Sequence, residues 1–319
     1  MAFHRNVLQI DPAAEADRVA RWIAEQARAL RRKGVVVGLS GGIDSALTLA
    51  LSVRAVGAEH VVGLILPERE SNPVSSRFAA AHARALGVEH REIDITPTVD
   101  SVERYAERDA YLRALVPEAV PGSAYNIVLP ADLLERDAFS FYLLQVRLPD
   151  GGTATRRLGI DEFHKLTAFA NIKIRSRMLH LYHEAERRNY LVGGTTNRTE
   201  LVLGDFCRYG DGGSDVEPLA HLYKDQVYQL ARHLDVTREI IERTPSPDTF
   251  SLPVSDQEFF FRIPFDKDLL LYAWEHDVPA AEAACVTGID EAAALRAYRD
   301  FTTKNRATAH LRALPPAPR

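Results

Sequence analysis

The sequence predicts an α/β fold, a doubly wound parallel sheet with helices on both faces. Apolar strand patterns alternate with helical patterns through the N-terminal third of the chain. The predicted strands are short, continuous apolar runs, as is typical of strands that are buried on both faces. The first of them, residues 35–39, runs directly into a Gly-Gly turn that opens a helix. Open α/β sheets bind their ligands beyond the carboxyl ends of the strands, where this turn lies.

The predicted elements follow one another in order along the chain. Residues 11–33 carry Val19, Ile23 and Ala27 at helical spacing, which predicts an amphipathic helix before the first strand. The alternation continues with helix 43–55, strand 61–66, helix 73–86, strand 90–95, helix 161–188 and strand 189–193. Three further helices are predicted over residues 267–276, 280–285 and 290–301, and the tail at 314–319 is expected to be extended.

Two segments interrupt this rhythm. Within residues 125–160, an apolar run at 139–148, a Pro-Asp-Gly-Gly turn and a second run at 153–158 predict a β-hairpin, which we interpret as an inserted arm or lid. The proline, serine and aromatic content of residues 244–265 predicts an irregular loop. We therefore expect one domain over residues 1–319, with 125–160 as an insertion and 244–319 as a C-terminal extension made of a loop and helices.

Composition narrows the class of protein. A net charge of −5 argues against general nucleic-acid binding, which needs a basic face. The two cysteines, Cys207 and Cys285, cannot form a disulfide framework, and the sequence has no Cys-x-x-Cys motif. The start of the chain lacks an apolar signal region and no apolar run approaches the length of a membrane span, so we expect a cytoplasmic protein.

The turn at residues 40–45 predicts a phosphate-binding site. Gly41 and Gly42 have no Cβ and let the backbone approach a ligand closely, while Ser40 and Ser45 add hydroxyl groups beside the free N–H groups of the new helix. The turn lacks both the Gly-Lys-Ser/Thr ending of a Walker loop and the Gly-x-Gly-x-x-Gly of a dinucleotide fingerprint. Asp44 is a candidate magnesium ligand, because a hard cation that bridges phosphates takes carboxylate oxygen.

A second cluster of polar residues begins at Gly193, where another predicted strand ends. It therefore shares the edge of the sheet with the Ser40 turn. Thr195 and the following N–H groups are positioned to contact phosphate or ribose. Glu200 is a candidate second carboxylate for the magnesium that Asp44 would hold, although a lone helical glutamate is usually a surface residue.

Together these motifs resemble the NAD synthetases. Ser-Gly-Gly-Ile-Asp-Ser resembles the pyrophosphate loop of enzymes that cleave ATP between its α and β phosphates. The resemblance extends over about residues 14–246 and rests on five motifs in the family's order. They are residues 40–45, Asn-Ile-Lys-Ile-Arg-Ser-Arg-Met at 171–178, Gly194-Thr195 with Glu200, Arg-Tyr-Gly-Asp-Gly-Gly at 208–213 with Asp215, and Leu-Tyr-Lys at 222–224. The fold implied is the Rossmann-like ATP pyrophosphatase fold.

The resemblance implies a role for each matching residue. ATP would be held by Ser40, Gly41, Gly42, Asp44, Ser45, Thr195, Lys224 and Ser246. Asp44 and Glu200 would bind Mg²⁺. Arg175, Arg208, Asp215 and His310 would contact deamido-NAD, the second substrate. Asp211 is a candidate proton acceptor for the attacking ammonia, which must react as the neutral molecule.

The implied reaction is ATP-dependent formation of an amide. The nicotinate carboxylate of deamido-NAD attacks the α-phosphorus of ATP and releases pyrophosphate; ammonia then displaces AMP and forms NAD⁺. Attack of one anion on another requires neutralising charge, which Mg²⁺, Lys224 and the N–H groups of the turn would supply. No serine or cysteine nucleophile is needed.

The chain departs from the family pattern at the end that would bind the second substrate. Arg208 and Leu311 stand where lysines are usual, and residues 248–261 replace a short loop followed by an acidic run. These departures leave two alternatives open. One is a related amide-forming ATP pyrophosphatase that acts on a different carboxylate, and the other is a nucleotide-binding module without catalytic activity.

The nitrogen source and the assembly are also expectations from the family. Only one helix precedes the first strand, too little for the glutaminase domain that some NAD synthetases carry, so we expect free ammonia or ammonia from a separate glutaminase partner. A homodimer is expected. The partners are thus ATP, deamido-NAD and ammonia, with no nucleic acid and no membrane.

Overall fold

The computed structural model describes residues 3–102, 104–130, 141–246, 249–261, 263 and 266–317. The strands are β1 (Val35–Gly38), β2 (Val61–Ile65), β3 (Glu89–Glu92), β4 (Tyr125–Val128), β5 (Leu143–Arg147), β6 (Thr153–Arg157) and β7 (Leu191–Gly193). The helices are α1 (Pro12–Ala29), α2 (Ile43–Val56), α3 (Pro73–Ala85), α4 (Thr96–Asp100), α5 (Arg104–Leu115), α6 (Ile160–Arg188), α7 (Arg198–Leu203), α8 (Lys224–His233), α9 (Arg238–Ile241), α10 (Lys267–Glu275), α11 (Ala280–Thr287), α12 (Glu291–Ala307) and α13 (Ala309–Arg312).

Four strands form a parallel sheet in the order β3-β2-β1-β7, with helices on both faces. Because side chains alternate along a strand, β1 contributes side chains to two hydrophobic cores, one on each face of the sheet. Val35 and Val37 pack with Leu47 of α2 on one face, in a cluster that also includes residues of α1 and α8. Val36 packs with Leu181 of α6 on the other face. The predicted fold class is confirmed, and β1 and β7 end side by side at one edge of the sheet.

The inserted segment forms a second, antiparallel sheet. β5 and β6 are the two strands of the predicted hairpin, and Leu143 pairs with Arg157. β4, which the sequence did not predict, pairs with β5 and gives the order β4-β5-β6. The predicted hairpin strand began at residue 139; residues 139 and 140 lie outside the described part of the chain, and β5 begins at Leu143.

Most other predicted elements are confirmed with shifted ends. The third strand was predicted over residues 90–95, but β3 spans Glu89–Glu92. The predicted helix at 290–301 extends to Ala307 in α12. The segment predicted as an irregular loop, 244–265, contains a π-helical turn over Gln257–Phe261 among its described residues. Within α12 the hydroxyl groups of Thr302 and Thr303 donate to the backbone carbonyls one turn earlier, so both are satisfied inside the helix.

A buried ionic cluster links the segment after β2 to α5 and α6. Lys173 Nζ donates to Glu68 Oε1 at 3.0 Å and to Glu70 Oε2 at 2.6 Å. Arg108 pairs with Glu70, and the Tyr105 hydroxyl donates to Glu68. Lys173, Glu68 and Arg108 are only 2%, 4% and 3% exposed, so each charge depends on its partners for neutralisation.

Replacing the central cation should destabilise the fold strongly. Lys173→Met leaves Glu68 and Glu70 buried with less compensation, so we expect the free energy of unfolding to fall by about 3–5 kcal/mol. Urea denaturation measures it. Lys33→Met, the same change at an exposed residue, should alter it by less than about 0.5 kcal/mol. Equal effects of the two changes would contradict a structural role for the cluster.

Candidate active site

The turn between β1 and α2 is held in shape by its own hydroxyl groups. Gly41 has a φ of +73°, and a Cβ on it would lie 2.3 Å from the backbone oxygen of Ser75, so only glycine fits here. The Gly42 N–H donates to Ser40 Oγ at 3.2 Å, and Ser45 Oγ donates to the Gly42 carbonyl at 3.0 Å. The turn is thus preformed at the start of α2.

Two carboxylates and one ammonium group meet beside this turn. Lys224, the first residue of α8, places its Nζ 2.5 Å from Asp44 Oδ2 and 3.5 Å from Glu200 Oε1. Burial and the nearby Asp44 raise the pKa of Glu200 well above its usual range. Burial lowers the pKa of Lys224, but Asp44 and Glu200 outweigh it and the pKa is raised well above the usual value. The ammonium group therefore stays charged and neutralises part of the carboxylate charge.

Asn197, which the sequence analysis did not identify, orients both carboxylates. Its Nδ2 donates to Asp44 Oδ1 at 3.0 Å, while its Oδ1 accepts the Glu200 N–H at 3.1 Å as the N-cap of α7. Glu200 Oε2 in turn accepts the Asn197 N–H at 3.1 Å, which completes a capping box. Asn197 is fully buried, so these bonds face little competition from water. The visible signal in the sequence is an asparagine three residues before a glutamate.

Asp268 of α10 anchors the starts of α7 and α8. Its Oδ1 accepts from the Thr199 hydroxyl at 2.9 Å and its Oδ2 accepts the Asp225 N–H at 2.7 Å. The Lys224 N–H donates to the same Thr199 hydroxyl at 3.1 Å. The C-terminal helices thereby fix the backbone that carries Glu200 and Lys224.

A cavity of about 1040 Å³ opens over the turn and along α6. Most predicted site residues line it: Ser40, Gly42, Asp44, Ser45, Arg175, Thr195, Glu200, Arg208, Asp211, Lys224, Ser246 and His310. Gly41 and Asp215 are not among the lining residues. Gly41 packs against Ser75, whereas the Asp215 carboxylate accepts the Val192 N–H at 2.8 Å and the Tyr182 hydroxyl at 3.1 Å. Asp215 thus joins β7 to α6.

The arginines predicted to contact the second substrate are partly engaged with the backbone. Arg208 donates to the carbonyls of His310 and Ala313 at 3.0 and 3.1 Å, so it holds the C-terminal segment against the cavity. Arg175 Nε donates to the Arg208 carbonyl at 3.2 Å. Neither guanidinium has a carboxylate partner among the described residues, so their charge is available to an anion.

Two further arginines line the cavity and were not predicted. Arg243 donates to the Gly41 carbonyl at 3.3 Å and to Ser75 Oγ at 2.9 Å. Arg177 donates to the Leu66 carbonyl at 3.1 Å and has no carboxylate partner in the described chain, as is also true of Arg243. Their positive charge suits an anionic ligand. Arg177 lay within the motif at 171–178, but no pattern in the sequence distinguished Arg243.

The protein offers two carboxylates, rather than a full ligand set, to a metal ion. Within the described residues no group of three or more His, Cys, Asp and Glu side chains is arranged to hold a metal. Asp44 and Glu200 approach the same ammonium group, so they face a common point. Two hard oxygen donors fit Mg²⁺, which usually takes the rest of its ligands from phosphate and water.

Comparison with known proteins identifies the family. The family model of NAD synthase matches residues 15–118 and 145–306. An NH(3)-dependent NAD(+) synthetase of Rhizobium meliloti (strain 1021) is 42% identical over 312 residues, which covers 98% of this chain and 93% of that protein. The chain belongs to the NAD synthase family.

Two solved structures share the fold. The NH3-dependent NAD synthetase of Campylobacter jejuni superposes with a TM-score of 0.64 at 21% identity. The superposition covers 98% of this chain and 100% of the Campylobacter chain. A glutamine-dependent NAD+ synthetase of Acinetobacter baumannii gives a TM-score of 0.53 at 23% identity, with 97% of this chain matching 47% of that one.

No helix among the described residues has the length and apolarity that a bilayer crossing requires.

Asn197→Ser should impair the site without unfolding it. Serine keeps the N-cap of α7 but is too short to reach Asp44, so we expect kcat/KM to fall about tenfold or more while the melting temperature changes little. Asn72→Ser is a matched control, because Asn72 caps α3 and contacts no carboxylate among the residues that the structure describes. Equal losses of activity in the two variants would contradict the positioning role.

Asp205, which lines the cavity, should make stability depend on pH. Burial raises its pKa to about 7, and Asp256 and Asp211 add to the shift. The folded chain therefore retains a proton that the unfolded chain loses near pH 4, and stability falls as the pH rises from about 4 to 7. Asp205→Asn should unfold like the parent at pH 4 but be more stable at pH 8, by up to about 4 kcal/mol. A pH-independent difference in urea denaturation would contradict this assignment.

Proposed function

We propose that this member of the NAD synthase family is an ammonia-dependent NAD⁺ synthetase. It adenylates the nicotinate carboxylate of deamido-NAD with ATP and then forms the amide with ammonia, releasing AMP and pyrophosphate. The observation that carries the proposal is the meeting of Asp44, Glu200 and Lys224 beside the preformed turn at residues 40–45. The related protein from Rhizobium meliloti, 42% identical, is named for this activity.

ATP would bind across the turn. The N–H groups at the start of α2, with Ser40 and Ser45, suit phosphate oxygens because they combine hydrogen-bond donors with the positive end of a helix. Gly41 and Gly42 keep that surface free of side-chain atoms. Thr195 and Ser246 line the same cavity and add hydroxyl groups for further contacts with the nucleotide.

Mg²⁺ fits the pair of carboxylates, Asp44 and Glu200. When bound, it would withdraw charge from the phosphate oxygens and so favour attack at phosphorus. Lys224 provides a fixed positive charge at the same place, since its ammonium group already contacts both carboxylates. A phosphate in the turn offers this lysine a new acceptor.

Charge neutralisation explains why this cavity suits the reaction. A carboxylate must approach a triphosphate, and the repulsion between the two anions is a large part of the barrier. Lys224, Arg177 and Arg243 line the cavity around the turn, and neither arginine is neutralised by a carboxylate of the described chain. These cations would hold both anions and stabilise the charge that passes to pyrophosphate.

The second substrate would lie along α6. Arg175 and Arg208 would contact its phosphates or carboxylate, and His310, which lines the same cavity, would add a contact. Asp215 would act by joining β7 to α6 rather than by touching substrate, because its carboxylate is already bound to Val192 and Tyr182.

Asp211 is our candidate acceptor for the proton that ammonia loses. Removal from bulk water raises the pKa of its carboxyl group, although hydrogen bonds from the backbone N–H groups of Cys207, Asp211 and Gly212 act in the opposite direction. A raised pKa brings a carboxylate closer to the range of an effective base at neutral pH.

A second candidate function is amide formation on a different carboxylate. Leu311, which stands where a lysine is usual, lines the cavity together with Phe250, Phe259 and Phe260 of the divergent segment. These residues give that end of the cavity an apolar wall, which would favour another substrate. An inactive nucleotide-binding module is less well supported, because it has no need for two carboxylates and a lysine at one point.

The organisation of the protein is part of the same proposal. We propose one catalytic domain over residues 1–319, with the inserted sheet as an arm and residues 244–319 as an extension that buttresses the site through Asp268. We also propose a homodimer. The ammonia would come from solution or from a separate glutaminase partner.

One assay tests the proposed function. Purified chain with ATP, Mg²⁺, ammonium chloride and deamido-NAD should release NAD⁺, AMP and pyrophosphate in equal amounts, measured by mass spectrometry. Omission of deamido-NAD should stop AMP release, and glutamine in place of ammonium should give no amide. Turnover of another acid with no reaction of deamido-NAD would favour the second candidate. ATP binding without AMP formation would favour the inactive module.

Asp44→Asn should abolish most of this activity. The change keeps the shape of the side chain but removes a charge from the metal and phosphate site, so we expect kcat to fall by roughly 10²-fold or more. Glu25→Gln, a charge removal at an exposed residue of α1, should leave kcat unchanged. An Asp44→Asn enzyme with the parent's kcat would overturn the role of Asp44.

A further inference from the structure

The short helix that carries Glu200 depends on contacts from outside it. α7 has six residues, and helices of this length are not stable by themselves. Asn197 and Asp268 fix its first turn. The carbonyl groups of its last three residues, 201–203, have no donors inside the helix, because a helix leaves its final carbonyls unpaired. The C-terminal end of α7 therefore needs donors from another part of the chain.

Two side chains of the C-terminal segment supply such donors. Asn305 Nδ2, from α12, donates to the Val202 carbonyl at 2.7 Å. Arg312 Nη1, from α13, donates to the Leu201 carbonyl at 3.1 Å. Both bonds join residues that are more than 100 positions apart in the sequence. They attach the end of α7 to the end of α12 and to α13.

Thr308 fixes the point at which the two segments meet. Gly204, the C-cap of α7, has a φ of +79°, and a Cβ on it would lie 2.1 Å from Thr308 Oγ1. Only glycine allows this approach. The Thr308 hydroxyl lies 3.2 Å from the Leu203 carbonyl and accepts from Arg312 Nη1 at 3.0 Å. The end of α7 is thus in close contact with the segment that carries Arg312.

Arg312 directs its guanidinium group to the protein and not to the cavity. Its Nη2 donates to the Asn305 carbonyl, and it has no carboxylate partner in the described chain. It does not line the cavity, whereas Thr308, His310 and Leu311 do. Its positive charge lies at the C-terminal end of α7, where it compensates the negative end of the helix dipole. Arg312 can therefore affect a bound ligand only through the backbone that it holds.

The backbone held by Arg312 is directly connected to Glu200. Leu201, whose carbonyl accepts from Arg312, is the next residue in the chain, and the Glu200 carbonyl accepts the Gly204 N–H at 2.8 Å. A displacement of this end of α7 would move the Glu200 carboxylate relative to Lys224 Nζ, now 3.5 Å away. Asp44 belongs to α2 and would stay in place.

We propose that Arg312 is a positioning residue of the metal site. By holding the C-terminal end of α7, it keeps the Glu200 carboxylate beside Asp44 and Lys224, where Mg²⁺ would bind. This inference rests on the proposed function, because it takes Glu200 as a ligand of the metal. It adds that α13 acts on the metal end of the cavity as well as on the second substrate.

The affinity for Mn²⁺ tests the proposal without turnover. Mn²⁺ takes the same kind of oxygen ligands as Mg²⁺, and its free concentration is measured by electron paramagnetic resonance. With a non-hydrolysable ATP analogue present, Arg312→Met should raise the Kd for Mn²⁺ about tenfold, the usual scale for loss of a group that orients a metal ligand. The Kd for the analogue without metal should stay close to the parent value, because Arg312 does not line the cavity.

Kinetics and matched variants separate positioning from general damage. In Arg312→Met, the Mg²⁺ concentration that gives half the maximal rate should rise by a similar factor, while KM for deamido-NAD stays close to that of the parent. Arg312→Lys keeps the charge and one donor at the end of α7, so it should recover most of the affinity for Mn²⁺. Arg306→Met, at an exposed arginine of α12, should leave that affinity unchanged.

A double-mutant cycle decides whether Arg312 acts through Glu200. Glu200→Gln should itself weaken Mn²⁺ binding, and Arg312→Met should add little in that background, because residues that act through one another are not additive. A full further loss in the double variant would contradict the proposal. If Arg312→Met does not fold, Asn305→Leu, which removes the donor to the Val202 carbonyl, carries the same cycle.

Three other results have a definite meaning. An unchanged Kd for Mn²⁺ in Arg312→Met would make the residue purely structural, and a rise in KM for deamido-NAD alone would assign it to the second substrate. A Glu200→Gln chain with the parent's affinity for Mn²⁺ would also overturn the inference. A parent chain that binds Mn²⁺ with the analogue but forms no NAD⁺ would refute the proposed function alone, since the Mn²⁺ titrations need no deamido-NAD.

Discussion

The site depends on one electrostatic constraint, the contact of two carboxylates with a single ammonium group beyond the end of β1. Asp44 and Glu200 come from different strand-to-helix connections, and they meet because parallel strands end at the same edge of a sheet. Burial, together with the charge of Asp44 beside it, raises the pKa of Glu200 well above its usual range. Lys224, which contacts both carboxylates, opposes that rise in the pKa of Glu200 and neutralises part of the negative charge.

The rest of the chain holds that contact in place. Asn197 links Asp44 to the start of α7, and Asp268 links α10 to the starts of α7 and α8. The C-terminal helices are therefore coupled to the chemistry although they contribute few side chains to the cavity. The inserted sheet and residues 249–261 pack with the same long helix, α6, and contribute aromatic residues to the lining of the cavity.

The sequence predicted what depends on local pattern and missed what depends on tertiary contact. Apolar runs and the Gly-Gly pair were sufficient to predict the parallel sheet and the Ser40 turn. Buried strands require continuous apolar residues and a positive φ favours glycine, so both features can be recognised in the sequence. β4 was missed because a four-residue strand has little periodicity, and its pairing with residues 249–261 is long-range. Arg243 and Asn197 were missed because their importance comes from the groups they contact, Gly41 and Asp44, which lie far away in the sequence. Asp215 lay in a matching motif, yet its carboxylate bonds to Val192 and Tyr182.

A crystal structure of the chain with Mg²⁺ and a non-hydrolysable ATP analogue tests the central claim most directly. We expect the triphosphate on the N–H groups of the turn at residues 40–45, with the Lys224 ammonium group moved from Asp44 to a phosphate oxygen. A nucleotide bound elsewhere, or a triphosphate in the turn with Lys224 still bound to Asp44 and no cation near Glu200, would contradict it.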